Sequence, residues 1–238
     1  MKFKFVALFC ILTPLLFSCK KNDDETPAGT VQIDDKFDVS TNSWTGDFAD
    51  YPAGEESFYE LSYTHDKLPE PLDQTAKGIR ISGNNHSDDL FMFMKKQVTG
   101  LIPNQQYTVQ IEIELASNEI KGSLGVGGSP GESVIVKSGL TAIEPVKTLD
   151  AATNYYRMNI DKSNQSNSGE DMKVLGDISN GTEKNEYTLI KRTGTFIGKA
   201  DKDGNAWIVI GTDSGYEATT TLYYTEVKVS IVKDASAD

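Results

Sequence analysis

The densest chemistry in the chain lies in residues 37–66. Seven acids, Asp38, Asp47, Asp50, Glu55, Glu56, Glu60 and Asp66, occur there without a single Lys or Arg. Among them stand Trp44, Phe48, Tyr51, Phe58, Tyr59 and Tyr63. Flat aromatic rings stack on the apolar faces of sugars, and carboxylates accept hydrogen bonds from hydroxyls, so the composition suits saccharide binding. The Gly/Pro-bearing run 45–54 predicts a loop presenting Trp44, Phe48 and Tyr51 as platforms. The alternative is a strand that packs Phe58, Tyr59, Leu61 and Tyr63 into a core behind a solvated acidic loop. A second polar loop, 83–89, offers Asn84, Asn85, Asp88 and Asp89 as hydroxyl partners, or equally forms an Asx-rich turn. Acids in this number also suit Ca²⁺, which takes six to eight oxygen ligands.

Other motifs are weaker. Gly127-Gly128-Ser129-Pro130-Gly131 matches the G-x-S-x-G pattern, but a nucleophile elbow needs a following helix and a later His. Here an apolar strand pattern follows and both histidines, His65 and His86, come earlier. Those two do not sit at a metal-ligand spacing. A glycoside hydrolase would need two carboxylates across a cleft. Glu112 and Glu114 share a face of one strand, which is ordinarily the wet side.

The elements that must position these groups read as strands. Residues 107–115 alternate strictly, with Val109, Ile111, Ile113 and Leu115 on one face and Gln110, Glu112 and Glu114 on the other. Residues 90–94 are apolar on both faces, as in a covered central strand. Further strands are expected at 78–82, 133–137, 156–160, 206–210 and 222–231, separated by Pro103-Asn104, Gly127-Gly128, Asn180-Gly181 and Asp203-Gly204. The last of these, between Phe196 and Trp207, predicts a hairpin. Many short strands without helical spacers predict an all-β protein, a single antiparallel β-sandwich. The formal net charge of −12 excludes a nucleic-acid partner, which needs a clustered basic surface.

The chain opens with Lys2 and Lys4 and an apolar run of thirteen residues, 5–17. As a helix it would reach about 20 Å, short of a hydrocarbon core of about 30 Å, so it reads as a signal peptide over 1–18. Leu16-Phe17-Ser18-Cys19 resembles a bacterial lipobox, which makes Cys19 the lipidated first residue of the mature chain. The charged stretch after it resembles the surface-export tether of Bacteroidota outer-membrane lipoproteins, giving a flexible tether over 19–30 and a sandwich over 31–238. The implied partners are the membrane, through the anchor, and either a glycan or an envelope protein, with localisation at the outer-membrane cell surface. Removal of 1–18 takes the charge from −12 to −14 and leaves no disulfide, thiol nucleophile or Cys-based metal site.

The terminal alternation at Leu222-Tyr223-Tyr224 and Val227, Val229 and Ile231 resembles the closing strand of galactose-binding-like jelly rolls. The run Ile102-Pro103-Asn104-Gln105-Gln106-Tyr107 resembles the entry to a long strand seen in such domains and in fibronectin-like ones. Segments 82–92, 125–133, 158–166 and 211–217 resemble a secreted bacterial family without established activity. Jelly rolls of the resembled type often carry a structural Ca²⁺ near the chain start and last strand, and Asp47, Asp50, Asp213 and Glu217 are the residues here that would supply it. The leading functional expectation is a lipid-anchored, non-catalytic carbohydrate-binding module. An accessory lipoprotein with a protein partner is the alternative, and a glycan-active hydrolase the third.

Overall fold

The strictly alternating stretch lies inside a twelve-residue strand, Gln106–Ser117, an inner strand of the larger of two packed sheets. The structure, a computed structural model, describes residues 29–234. The expected signal peptide, the lipidated Cys19 and most of the tether lie outside the described residues.

Among the described residues fourteen strands follow one another: β1 (Val31–Lys36), β2 (Thr45–Ala49), β3 (Tyr51–Pro52), β4 (Ser62–Lys67), β5 (Lys77–Asn84), β6 (Leu90–Val98) and β7 (Gln106–Ser117). Then come β8 (Val134–Thr141), β9 (Lys147–Asp150), β10 (Tyr155–Met158), β11 (Lys173–Asp177), β12 (Thr188–Lys199), β13 (Ala206–Ser214) and β14 (Thr219–Lys233). One sheet runs β12-β7-β14-β5-β4, with β1 continuing the line of β5 along the same side of β14. The facing sheet runs β11-β8-β13-β6-β2, and β3-β10-β9 form a small third sheet. Every pairing is antiparallel and successive long strands alternate between the two main sheets, which makes the sandwich a jelly roll.

The apolar sets named from periodicity fill the space between the sheets. Val109, Ile111, Ile113 and Leu115 of β7 meet Leu222, Tyr224, Val227, Val229 and Ile231 of β14 on the inner face. β6 is apolar on both faces because it is covered on both. Leu90, Met92 and Met94 join the main core, while Phe91 and Phe93 belong to a second cluster with Ala49, Ile160, Met172 and Val209. Segment 158–172 lies over the outer face of the smaller sheet and seals that second cluster.

Two local expectations are corrected. The 156–160 strand is β10, four residues from Tyr155, paired with β9 and β3. At Asp203-Gly204 the chain does reverse tightly, with Gly204 at φ 78° and Asp201 accepting from the Asp203 and Asn205 amides. The flanking strands do not form a hairpin, however: β12 pairs with β7 in one sheet and β13 with β6 and β8 in the other. The turn is a corner between the sheets.

Both described chain ends sit at the same end of the sandwich. Val31 pairs with Ile231 near the close of β14, and Gly29 lies against Ile102 and the Tyr107 hydroxyl. The opposite end gathers the loops around residues 54–61, 85–89, 118–133 and 215–218. There Asn84 N–H donates to Tyr59 O, and Asn85 Nδ2 donates to Ser214 O and Tyr216 O.

Candidate functional site

The aromatic–acidic segment does not form the expected platform. Trp44 is 1% exposed, its indole N–H donating to Asp35 Oδ2 at 2.8 Å and its ring edge-on to Phe37. Phe48 is buried, and so is Tyr51, whose hydroxyl receives Lys147 Nζ at 2.9 Å. Burial raises the Tyr51 pKa, and Lys147 only partly offsets it. The reason is positional: β2 pairs along β6, which turns Phe48 and the preceding Trp44 into the sandwich, while Tyr51 is held in β3 against Tyr156 of β10. Aromatic composition alone carries no information about which face a strand buries.

Of the second loop, Asn85 is buried and serves as a staple between loops, also accepting from Ser87 N. Asp88 is exposed at φ 60°, its carbonyl accepting from Gln165. Asn84 stays half-exposed and donates to Glu60 Oε1. Asp89 turns inward.

Asp89 belongs to a cluster of six charged side chains that runs from the fully buried Lys137 and Asp213 out to Arg157 at the surface. Asp50, at the β2–β3 junction with φ 63°, meets Asp89 and Asp213, with one carboxylate oxygen of each within 4.8 Å of the others. Three cations meet them. Lys137 Nζ lies 2.8 Å and Lys162 Nζ 3.0 Å from Asp213 Oδ2, and Lys162 reaches Asp50 Oδ2 at 2.9 Å. Arg157 bridges Asp50 at 2.8 Å and Asp89 at 3.1 Å. Burial lowers the Lys137 pKa; it opposes the Lys162 charge too, but Asp213 and Asp50 outweigh it and that pKa is raised. Sequence reasoning missed all three cations. The signal was Lys137 itself, a charge closing an apolar strand run.

This arrangement does not fit the expected Ca²⁺ site. Asp47 is paired with Lys147 at 2.9 Å, and Glu217 stands exposed on the β13–β14 loop. Asp50 and Asp213 do meet, but two ammonium groups and the Arg157 guanidinium already match the three carboxylates charge for charge. A divalent ion among them would face like charges at contact range.

Burial, followed by the Asp50 charge, lifts the Asp89 pKa to about 6. That stands above the unfolded value of about 3.9. Between about pH 4 and pH 6 the folded state therefore keeps a proton that the unfolded state has released, and this term loses stability as pH rises. Asp89→Asn is expected to remove it, flattening that window relative to wild type in melts followed by circular dichroism. A difference profile without slope between pH 4 and pH 6 would count against the assignment.

A broad concavity lies elsewhere, on the outer face of the larger sheet. It is a groove of about 650 Å³ crossed by β1, β14, β7 and β12. Antiparallel register sets its side chains in rows: Gln32, Ser230, Gln110 and Thr195, then Asp34, Lys228, Glu112 and Thr193. Gln32 Nε2 donates to Ser230 Oγ at 2.8 Å. Glu112 is paired with Lys191 at 2.7 Å, which leaves it unsuited to act with Glu114 as a hydrolase pair. No aromatic ring lines the groove. Its amides and hydroxyls both donate and accept, as sugar hydroxyls do. The alternations Gln32/Asp34, Gln110/Glu112 and Lys228/Ser230 were the signal in the sequence, and only the register aligns them.

No family model and no curated protein matches the chain. Among solved structures it is similar to the xylan-binding CBM22-1 domain of Paenibacillus barcinonensis Xyn10C, at 12% identity and a TM-score of 0.39, over 85% of this chain and 95% of that one. The K3 cleaved adhesin domain of Lys-gingipain from Porphyromonas gingivalis aligns at 11% identity and a TM-score of 0.41, over 85% and 99%. The xylan-binding module CBM15 aligns at 13% and 0.37, over 87% and 100%. The likeness is one of outline. At these values it assigns neither ligand nor activity, and the residues of this chain must carry the functional argument.

Proposed function

We propose that the chain is a lipid-anchored, cell-surface, non-catalytic carbohydrate-binding protein whose ligand lies across the outer face of the larger sheet. The observation that carries this is the groove itself, with its rows of amide, hydroxyl and carboxylate side chains from four strands. Its charges nearly cancel: Asp34 and Glu112 stand beside Lys228, and Lys191 lies 2.7 Å from Glu112. A neutral polyhydroxylated chain suits such a surface better than a polyanion. Anchoring rests on the basic start, short apolar run and Leu16-Phe17-Ser18-Cys19, and Cys19→Ala is expected to release the protein from the membrane fraction. Both described chain ends leave from one end of the sandwich, so a tether there would hold the opposite loops outward.

Gln110→Ala combined with Gln32→Ala is expected to weaken glycan affinity at least tenfold by calorimetry, with the melting temperature unmoved. Both side chains are exposed, so loss of binding would not be loss of fold. Unchanged affinity would sink the groove as the site. The reading with a protein partner has its own observation, Leu124 and Val126 standing in solvent on the β7–β8 loop. Recovery of one envelope protein, lost in Leu124→Ser, with no glycan bound, would favour it.

A further inference from the structure

One aromatic ring of the acidic segment does stand in water. Phe58 is 58% exposed, on the turn between β3 and β4. It is nonetheless held in place. His86 stacks on it with ring centroids 4.0 Å apart and planes 19° off parallel, and His86 Nε2 lies 3.1 Å from Phe58 O. The buried Tyr59 stands edge-on to both rings. The turn beneath is fixed by Tyr59 N–H donating to Glu55 O, Leu61 N–H to Glu56 O and Asn84 N–H to Tyr59 O. A ring fixed on one face and open on the other loses little conformational freedom when a ligand covers it. Two residues on from Phe58 and two before His86, the Glu60 carboxylate and Asn84 amide, 3.3 Å apart, offer an acceptor and further donors.

We infer that Phe58, supported by His86 and flanked by Glu60 and Asn84, is a second saccharide site that takes a single pyranose ring or chain end. This rests on the carbohydrate-binding reading and extends it from one site to two. The sites are distinct in chemistry and place. The groove binds by hydrogen bonds on a sheet face without aromatic rings, whereas Phe58 offers a stacking surface at the loop end. They are also well separated. Ser230 borders the groove, whereas Thr219, paired with Asn84, marks the loop end of the same strand. The eleven steps between them at about 3.3 Å each span about 35 Å. A short oligosaccharide cannot occupy both, but a polymer can. The second contact is then intramolecular, and avidity exceeds either affinity by 10²-fold or more where the geometry permits both.

The test is calorimetric titration with cellotriose, xylotriose and laminaritriose, and with the corresponding polymers. Wild type is expected to take two equivalents of a trisaccharide that binds. Phe58→Ala should take one, with the remaining affinity unchanged and polymer affinity reduced at least tenfold, while Phe58→Trp retains both sites. Gln110→Ala with Gln32→Ala should spare the second equivalent. Two equivalents persisting in Phe58→Ala would overturn the inference and leave the groove intact. A single equivalent abolished by Phe58→Ala would instead remove the groove and keep this site. Failure of every probe to bind would remove both.

Discussion

Lys137→Met is expected to destabilise the fold by about 3–5 kcal/mol, the range for removing one partner of a buried ion pair. Lys137 and Asp213 are both 0% exposed, so neither can turn to water when the other is lost. The Lys137 ammonium donates to Asp213 Oδ2 and also to Lys162 O at 2.9 Å, so the variant leaves a carbonyl unsatisfied as well. Three carboxylates would then face two cations in a low-dielectric interior, a surplus that the balanced arrangement avoids. The double variant Lys137→Met/Asp213→Leu restores balance, with Lys162 and Arg157 still facing Asp50 and Asp89. Replacing a whole buried pair by apolar groups of similar size is often close to neutral. Urea unfolding should therefore place the double variant well above the single one. A double variant as unstable as Lys137→Met, or a single variant as stable as wild type, would show that the pair does not act as a unit.

The same cluster marks where sequence reasoning stops. Its six members come from the β2–β3 junction, the residue before β6, β8, β10, segment 158–172 and β13, brought together only by strand pairing within the smaller sheet and by the segments packed over its outer face. Strand existence is a local property, and it was legible wherever burial on one or both faces imposed a period: β7, β6 and the second half of β14 follow their patterns closely. Pairing is not local. Asp203-Gly204 carries the chemistry of a tight reversal, yet the same chemistry serves a hairpin or a corner, and the sheet that β13 joins is decided by β6 and β8. The saccharide expectation met the same limit. Trp44 and Phe58 belong to one acidic, aromatic segment, and only the pairing of β2 with β6 separates the buried ring from the exposed one. The groove was hidden differently. Its residues are ordinary outward positions of four strands, and they form a surface through register that no single strand contains.

Trp44→Ala is the experiment that separates composition from position. A solvent-facing stacking residue could be truncated with little change in stability, whereas truncating a buried Trp typically costs about 3–5 kcal/mol. Trp44 is of the second kind. Its ring packs in the main core beside Phe37, and removal also deprives Asp35 of the indole donor, leaving that carboxylate to Lys96 at 2.6 Å. At roughly 2–4 °C per kcal/mol for a chain of this size, the melting temperature should fall by about 10 °C. Trp44→Phe keeps most of the apolar volume and loses only the hydrogen bond, so its cost should be nearer 1–2 kcal/mol. Both variants, assayed well below their transitions, should bind glycan as wild type does, because neither the groove nor Phe58 touches this ring. Loss of binding by Trp44→Ala at an unchanged melting temperature would place Trp44 at the ligand and overturn the burial of β2. A lowered melting temperature with binding retained would confirm Trp44 as a core residue rather than a ligand platform.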